Sequence, residues 1–230
     1  VLSREGVLPA ESSLDCVGLF ARDTHVLRLA LNHLSLPVAV PLTDLPEVAF
    51  IAAALPEIDT LLMQFLTHAG VQPHRAELPT LADAHRAGIA IISHENWQAF
   101  HSLLTSGAVS ADVATRIRAG ETVSQQTLEE AEQIRQRFTA DVDALLAKTP
   151  LLALATLPEL PPTLAEAADP LSVVNLTRLV RPFNLSGHPA LTLPAGELHG
   201  RPIALQLVAR KGAEGLLVQA AEWLTARRRR

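Results

Sequence analysis

The residues able to carry chemistry are unevenly supplied in this chain. His94-Glu95-Asn96-Trp97-Gln98 begins like HExxH, where two histidines on one helix face hold zinc and the glutamate acts as base. Gln98 stands where the second ligand belongs. His101 follows His94 by two helical turns, about 10.5 Å along the axis, too far for easy sharing of one ion. The stretch therefore reads as a polar helix face, and no metal is expected. Ser186 precedes Gly187 but has no glycine two positions before it, so it is no nucleophile elbow, and neither a P-loop nor a GxGxxG is present. Cys16 is a lone small residue in an apolar loop and reads as packed rather than reactive. Tyrosine is absent. The two lysines, Lys148 at a helix end and Lys211 beside Gly212, lack the apolar frame that would depress a pKa and make a base. No serine has a lysine or histidine partner in a motif, so no catalytic residue is expected here.

Positioning falls to a mixture of helices and short strands. Residues 23–34 place Val26, Leu29, Ala30 and His33 at helical spacing. Residues 57–69 form an amphipathic helix stopped by Gly70, 81–104 read as helical, and 111–118 stop at Gly120. The clearest helix spans 124–147 on Leu128, Ala131, Ile134, Phe138, Val142 and Leu145, with Thr127 and Glu130 as a capping box. Residues 171–180 and 213–226 supply two more helices. Strands are expected at 48–53, 151–156, 190–193 and 203–209, and a strand with ordered loops over 1–23. Gly187 and Pro189 bracket a turn into strand 190–193, and Pro194 ends it. Short buried strands with covering helices imply an α/β layered fold.

The 230 residues are 48% hydrophobic and 19% charged, with a mean hydropathy of +0.22. No stretch approaches the roughly 20 apolar residues of a membrane span. A net charge of −5 gives no electrostatic argument for nucleic acid or an acidic membrane. One cysteine excludes an internal disulfide framework and suits a reducing cytoplasm. Val1 is no initiator and Met63 is the one methionine, so an upstream portion is expected to have been removed. The closing arginines 227–230 follow a helix end and read as a solvated basic tail.

Two segments resemble the amidase signature family. Residues 3–22, SREGVLPAESSLDCVGLFAR, are similar to its glycine and proline loop followed by Ser-Leu-Asp, a small residue, Val-Gly and Ala-Arg. Residues 178–224 contain RLVRPFNLSGHPALTLPAG, GRPIALQLVAR and GAEGLLVQAAEWL. These are similar to the family's Asn-Leu-x-Gly-x-Pro-Ala strand, its Gly-x-Pro hairpin with Gln-Leu-Val, and its Glu-x-x-Leu-Leu final helix. Between them, 141–145 followed by ATLPELPP resembles an aspartate and a Pro-Thr-x-Pro segment, with Ala155 where proline is usual. Residues 35–110 match only in their order of elements.

The resemblance implies a three-layer α/β/α fold with a mixed sheet, residues 1–230 forming the C-terminal portion of one domain. It also implies hydrolysis of an amide or urea-like C–N bond through an acyl-serine, using a serine nucleophile, a bridging serine and a lysine base. That machinery lies upstream of the glycine loop, so the chain alone is expected to be silent and to need no cofactor. What it could supply is substrate pocket. Thr177, four residues before Arg181, stands where relatives present a substrate-contacting side chain, one helical turn away on one face. Arg181 could pair with a substrate carboxylate or with an internal acid. His188 and the loop 159–169 are candidates for the pocket rim, whereas Asn184, Gly187 and Gln206 are expected to build the sheet. The implied partners are a small amide in the intact protein, and the missing half or a second copy covering strand 203–209 and helix 128–146. No nucleic acid and no membrane are expected. The alternative is a non-catalytic split or degenerate amidase segment that binds or regulates a partner.

Overall fold

The computed structural model describes residues 5–6, 12–36, 38–168 and 170–228. Its sheet is organised around β3, Leu151–Ala155, whose five consecutive apolar residues are all fully buried. A strand apolar on both faces needs cover on both faces. On one side β3 pairs in parallel with β1 (Val48–Ile51), which pairs in parallel with the edge strand β2 (His74–Ala76). On the other side it pairs antiparallel with β5 (Arg201–Val208), and β5 with the edge strand β4 (Ala190–Leu198). The order is therefore β2-β1-β3-β5-β4, a mixed sheet.

Helices form the two outer layers. α2 (Pro56–His68) packs on β3, β4 and β5 beside α7 (Glu214–Arg228), with α1 (Thr24–His33) against α7. The second layer joins α3 (Leu81–Phe100), α5 (Gln125–Lys148) and α6 (Arg181–Ser186), with α4 (Ala111–Arg118) on α3. None of the helices among the described residues is long and apolar enough to cross a membrane.

Local chemistry explains where the elements depart from the sequence pattern. α5 is capped by Ser124, whose Oγ accepts from the Thr127 amide at 3.1 Å, one turn before the expected capping box on Thr127. Residues 171–180 are not an α-helix: Pro170–Leu179 is a 3-10 helix, and α6 restarts at Arg181 because Pro182 has no N–H to continue the ladder. Pro194 does not end its strand. β4 lies at the sheet edge, where a missing N–H is tolerated, and it runs on to Leu198 through an irregularity between Pro194 and Gly196. The hairpin then turns on His199 and Gly200, both left-handed at φ 52° and 71°, the two-residue turn whose twist suits paired strands. The strand expected within 1–23 falls partly outside the described residues, and 12–23 hold no strand.

The faces expected to await a partner are covered by the chain itself. Leu205, Leu207, Val208 and Ala209 are fully buried, as are Phe138 and Val142 of α5. β5 is enclosed between β3 and β4, and α5 lies on β3, α3 and α6. Exposed large apolar side chains are scattered among the described residues: Val17, Leu19 and Phe20, the last wholly in solvent, but also Val40 and Leu164.

A close helix contact supplies a packing test. A Cβ on Gly120 would lie 1.9 Å from the Ser93 carbonyl oxygen of α3, whereas one on Gly18 would meet nothing within 4 Å. Gly120→Ala should cost about 3 kcal/mol in urea unfolding, and Gly18→Ala less than about 0.5 kcal/mol.

Candidate functional site

Three elements of the second layer meet around Arg181: α3, the 3-10 helix and the first residue of α6. Arg181 donates from Nη2 to Thr177 Oγ1 at 2.9 Å, so the two side chains meet although they sit on separate elements rather than one helix. The arginine stem is pressed on α3 at Gly88, where an added Cβ would lie 3.0 Å from its Cγ and Cδ. His85, one turn earlier on α3, is buried. Gln206 of β5 donates to the Leu179 carbonyl at 2.9 Å, fixing the end of the 3-10 helix that carries Thr177. Asn184 donates to the Leu14 carbonyl at 3.3 Å and draws residues 12–15 onto the same region.

The electrostatics are one-sided. No carboxylate of the described residues forms an ion pair with Arg181. Burial lowers the Arg181 pKa. Burial is also the main cause holding His85 below its ordinary value, followed by the positive charges of Arg181, Arg178 and Arg86. Arg181 Nε and His85 Nδ1 are buried with no hydrogen-bond partner.

His188 occupies a different setting. Its ring is fully enclosed, with Nδ1 2.9 Å from Ser186 Oγ and Nε2 3.0 Å from Asp143 Oδ1. With the Nε2 proton directed to Asp143, Nδ1 accepts from the serine hydroxyl, the proton order that activates a nucleophile. No serine is expected to have a lysine or histidine partner in a motif; outside any motif, Ser186 does meet His188. Ser186 and His188 are two residues apart, and what the sequence hides is the third member, Asp143 on α5, 45 residues from His188. Access is missing, however. Ser186 is 4% exposed, and an acyl carbon must come within about 3–3.5 Å of its oxygen. The trio thus fastens α5 to the turn entering β4. Burial lowers the His188 pKa, opposed by the hydrogen bond and charge of Asp143 and reinforced by Lys211.

Two concavities lie elsewhere. A cavity of about 300 Å³ past the end of β3 is lined by Ile58, Thr156, Glu159, Pro161, Thr192 and Ile203, which brings the expected rim loop to a pocket. Thr156 and Thr192 hydroxyls lie 3.3 Å apart there. A groove of about 490 Å³ runs beside the packed helices α1 and α7, lined by Arg28, Leu42 and Trp223. Neither reaches Ser186. Among the described residues no group of three or more His, Cys, Asp and Glu could hold a metal. Glu95 instead accepts from the Ser13 amide at 3.1 Å and from Ser12 Oγ at 3.3 Å.

Comparison with known proteins adds the family. The model of the family described as Amidase matches residues 55–218. A glutamyl-tRNA(Gln) amidotransferase subunit of Methanothermobacter thermautotrophicus is 35% identical over 115 residues, covering 48% of this chain and 25% of the relative. The namesake from Archaeoglobus fulgidus is 27% identical over 63% of the chain and 33% of its own length. A crystal structure of an amidase superposes at a TM-score of 0.76 and 19% identity, over 90% of this chain and 51% of that one. Kluyveromyces lactis allophanate hydrolase superposes at 0.67 and 20% identity, over 83% and 34%. The chain thus spans about half the length of the amidase and less of the sequence relatives.

The two buried histidines predict a pH response. Each binds its proton more weakly folded than unfolded, so its contribution is full above about 6.5 and is lost as pH falls below that toward the folded value. The urea midpoint should fall between pH 7 and pH 5. The double variant His85→Gln, His188→Gln should show a shallower fall, and an unchanged slope would contradict the assignment.

Proposed function

The chain belongs to the amidase family, and we propose that it is the C-terminal portion of an amidohydrolase whose nucleophile and base come from outside these residues. One observation carries this reading: among the described residues, the serine with an activating partner, Ser186, is closed to substrate. The two lysines stand apart from any such role, Lys148 ending α5 and Lys211 lying beside Gly187 in a connection after β5. Half of an amidase-like fold with a complete core and no accessible nucleophile suits a portion that holds substrate while another portion reacts with it.

In the proposed reaction a serine hydroxyl attacks an amide or urea-like carbonyl, a base takes its proton, and the C–N bond breaks to release the amine. Water then cleaves the acyl-serine. Thr177 and Arg181 contact the substrate, while His188 and Ser186 brace the rim from beneath. Relatives named as amidotransferase subunits support a further polypeptide partner. Cys16, expected to be packed, is exposed, and its free thiol suits a reducing, cytoplasmic setting. A second reading, a non-catalytic binding or regulatory segment, is favoured by the closed core of β3, β5 and α5, which needs no partner to be buried.

The isolated chain should not turn over succinamide or benzamide, and Ser186→Ala should change nothing. Turnover abolished by that substitution would overturn the reading. In the intact enzyme, Thr177→Ala or Arg181→Ala should lower kcat/KM about tenfold or more with little change in Tm. A large stability loss with unchanged kinetics would assign both residues a purely structural role. Absence of amide hydrolysis by the intact protein would leave the non-catalytic segment.

A further inference from the structure

The cavity of about 300 Å³ past the end of β3 has walls that are each fixed by a contact. The Thr156 amide donates to the Ala204 carbonyl of β5 at 3.0 Å, and the Leu55 amide, just before α2, donates to the Pro158 carbonyl at 2.9 Å. Arg201 donates to the Pro161 carbonyl at 3.1 Å and pairs with Glu166 at 3.4 Å, which ties the loop after β3 to the start of β5. Pro161, Pro194 and Pro202 line the cavity from that loop, from β4 and from β5, each with its φ fixed by the ring. A cavity set in this way loses little freedom when a ligand enters, and its volume suits a small molecule.

The lining is apolar apart from three side chains. Ile58 and Ile203, both buried, belong to the apolar part. Thr156 and Thr192 come from either side of β5, and their hydroxyls approach to 3.3 Å. A hydrogen bond between them uses one proton and leaves lone pairs that can accept from an N–H. Glu159 is the one charged residue of the lining, and among the described residues no cation forms an ion pair with it. Arg201, which braces the loop, is answered by Glu166. The N-terminal end of α2 borders the cavity at Ile58, but Glu57 and Asp59 of its own first turn answer its dipole. The charge offered to a ligand is therefore negative.

We propose that this cavity binds an apolar primary amine in its ammonium form. The hydrocarbon body lies against Ile58, Ile203 and the prolines, the threonine hydroxyls accept from the N–H groups, and Glu159 supplies the counter-charge. The same carboxylate repels an acid of equal size. The site rests on these walls and not on the amidase reading, so either can fail without the other. Cleavage of a C–N bond does release an amine, and the ligand is thus of the class that the proposed reaction produces.

The test uses benzylamine, cationic at neutral pH like other alkylamines, against neutral benzyl alcohol and anionic benzoate. Each is titrated into the chain at pH 7, following thermal melting and the backbone amide signals by NMR. Benzylamine should raise the Tm in a saturable way and shift the Thr156 and Thr192 signals. It should bind about threefold tighter than benzyl alcohol, the scale of one partly exposed ion pair, with benzoate weakest. Glu159 is exposed, so Glu159→Gln should fold as the wild type does and bring benzylamine down to the affinity of benzyl alcohol. Thr192→Phe, at an exposed position of the edge strand, should fill the cavity with a ring and abolish binding of both. If that variant does not fold, the Glu159→Gln comparison still decides. Absence of saturable benzylamine binding, equal affinity for the three compounds, or a preference for the amine that survives Glu159→Gln overturns the proposal. Undiminished binding by a folded Thr192→Phe variant would overturn it as well.

Discussion

The fold depends on burying β3 on both faces. Its three leucines and two alanines are fully enclosed, and a buried leucine side chain contributes roughly 1.5–3 kcal/mol. That burial requires α2 on one face and α5 on the other, which makes the molecule three-layered. It also requires hydrogen-bonded neighbours on both edges, β1 in parallel and β5 antiparallel. From β5 the chain of constraint reaches the site, because Gln206 holds the Leu179 carbonyl and thereby the 3-10 helix bearing Thr177. Arg181 follows two residues after Leu179, at the break that Pro182 imposes.

Two buried histidines show contrasting solutions to one problem. His188 is answered on both nitrogens, by Ser186 and by Asp143, and gains rigidity. His85 is surrounded by arginine charge and left with an unanswered nitrogen. A satisfied network stabilises a unique packing, whereas an unpaired buried nitrogen costs stability. The resemblance of Ser186, His188 and Asp143 to a catalytic trio is therefore a matter of proton order, and enclosure decides its role. Arg181 is held instead by Thr177 and by its packing on Gly88.

Much of the fold was legible where periodicity was long or unbroken. The 24-residue helix α5, the apolar run of β3 and the Gly-x-Pro hairpin were all readable from spacing, and the family from three motifs in order. Boundaries set by single backbone groups were not. Pro182 splits an apparently continuous helix, and Pro194 is tolerated because β4 lies at an edge, which no local pattern reveals. At the site, Thr177 and Arg181 were found by position within the motif and do meet. His85 was missed because its partners lie on elements nearly a hundred residues further on. Asp143 was missed because α5 presented it as an ordinary polar face. The expectation of uncovered core faces failed since high apolar content here builds a closed core, not an open one.

The central claim is that the chain shapes an amidase site without owning a reactive nucleophile. Incubation with a fluorophosphonate, followed by intact-mass measurement, addresses it most directly, because the reagent attaches covalently to activated and accessible serines. The account predicts a single unmodified mass for the chain. A phosphonyl adduct that maps to Ser186 and disappears in His188→Gln would contradict it.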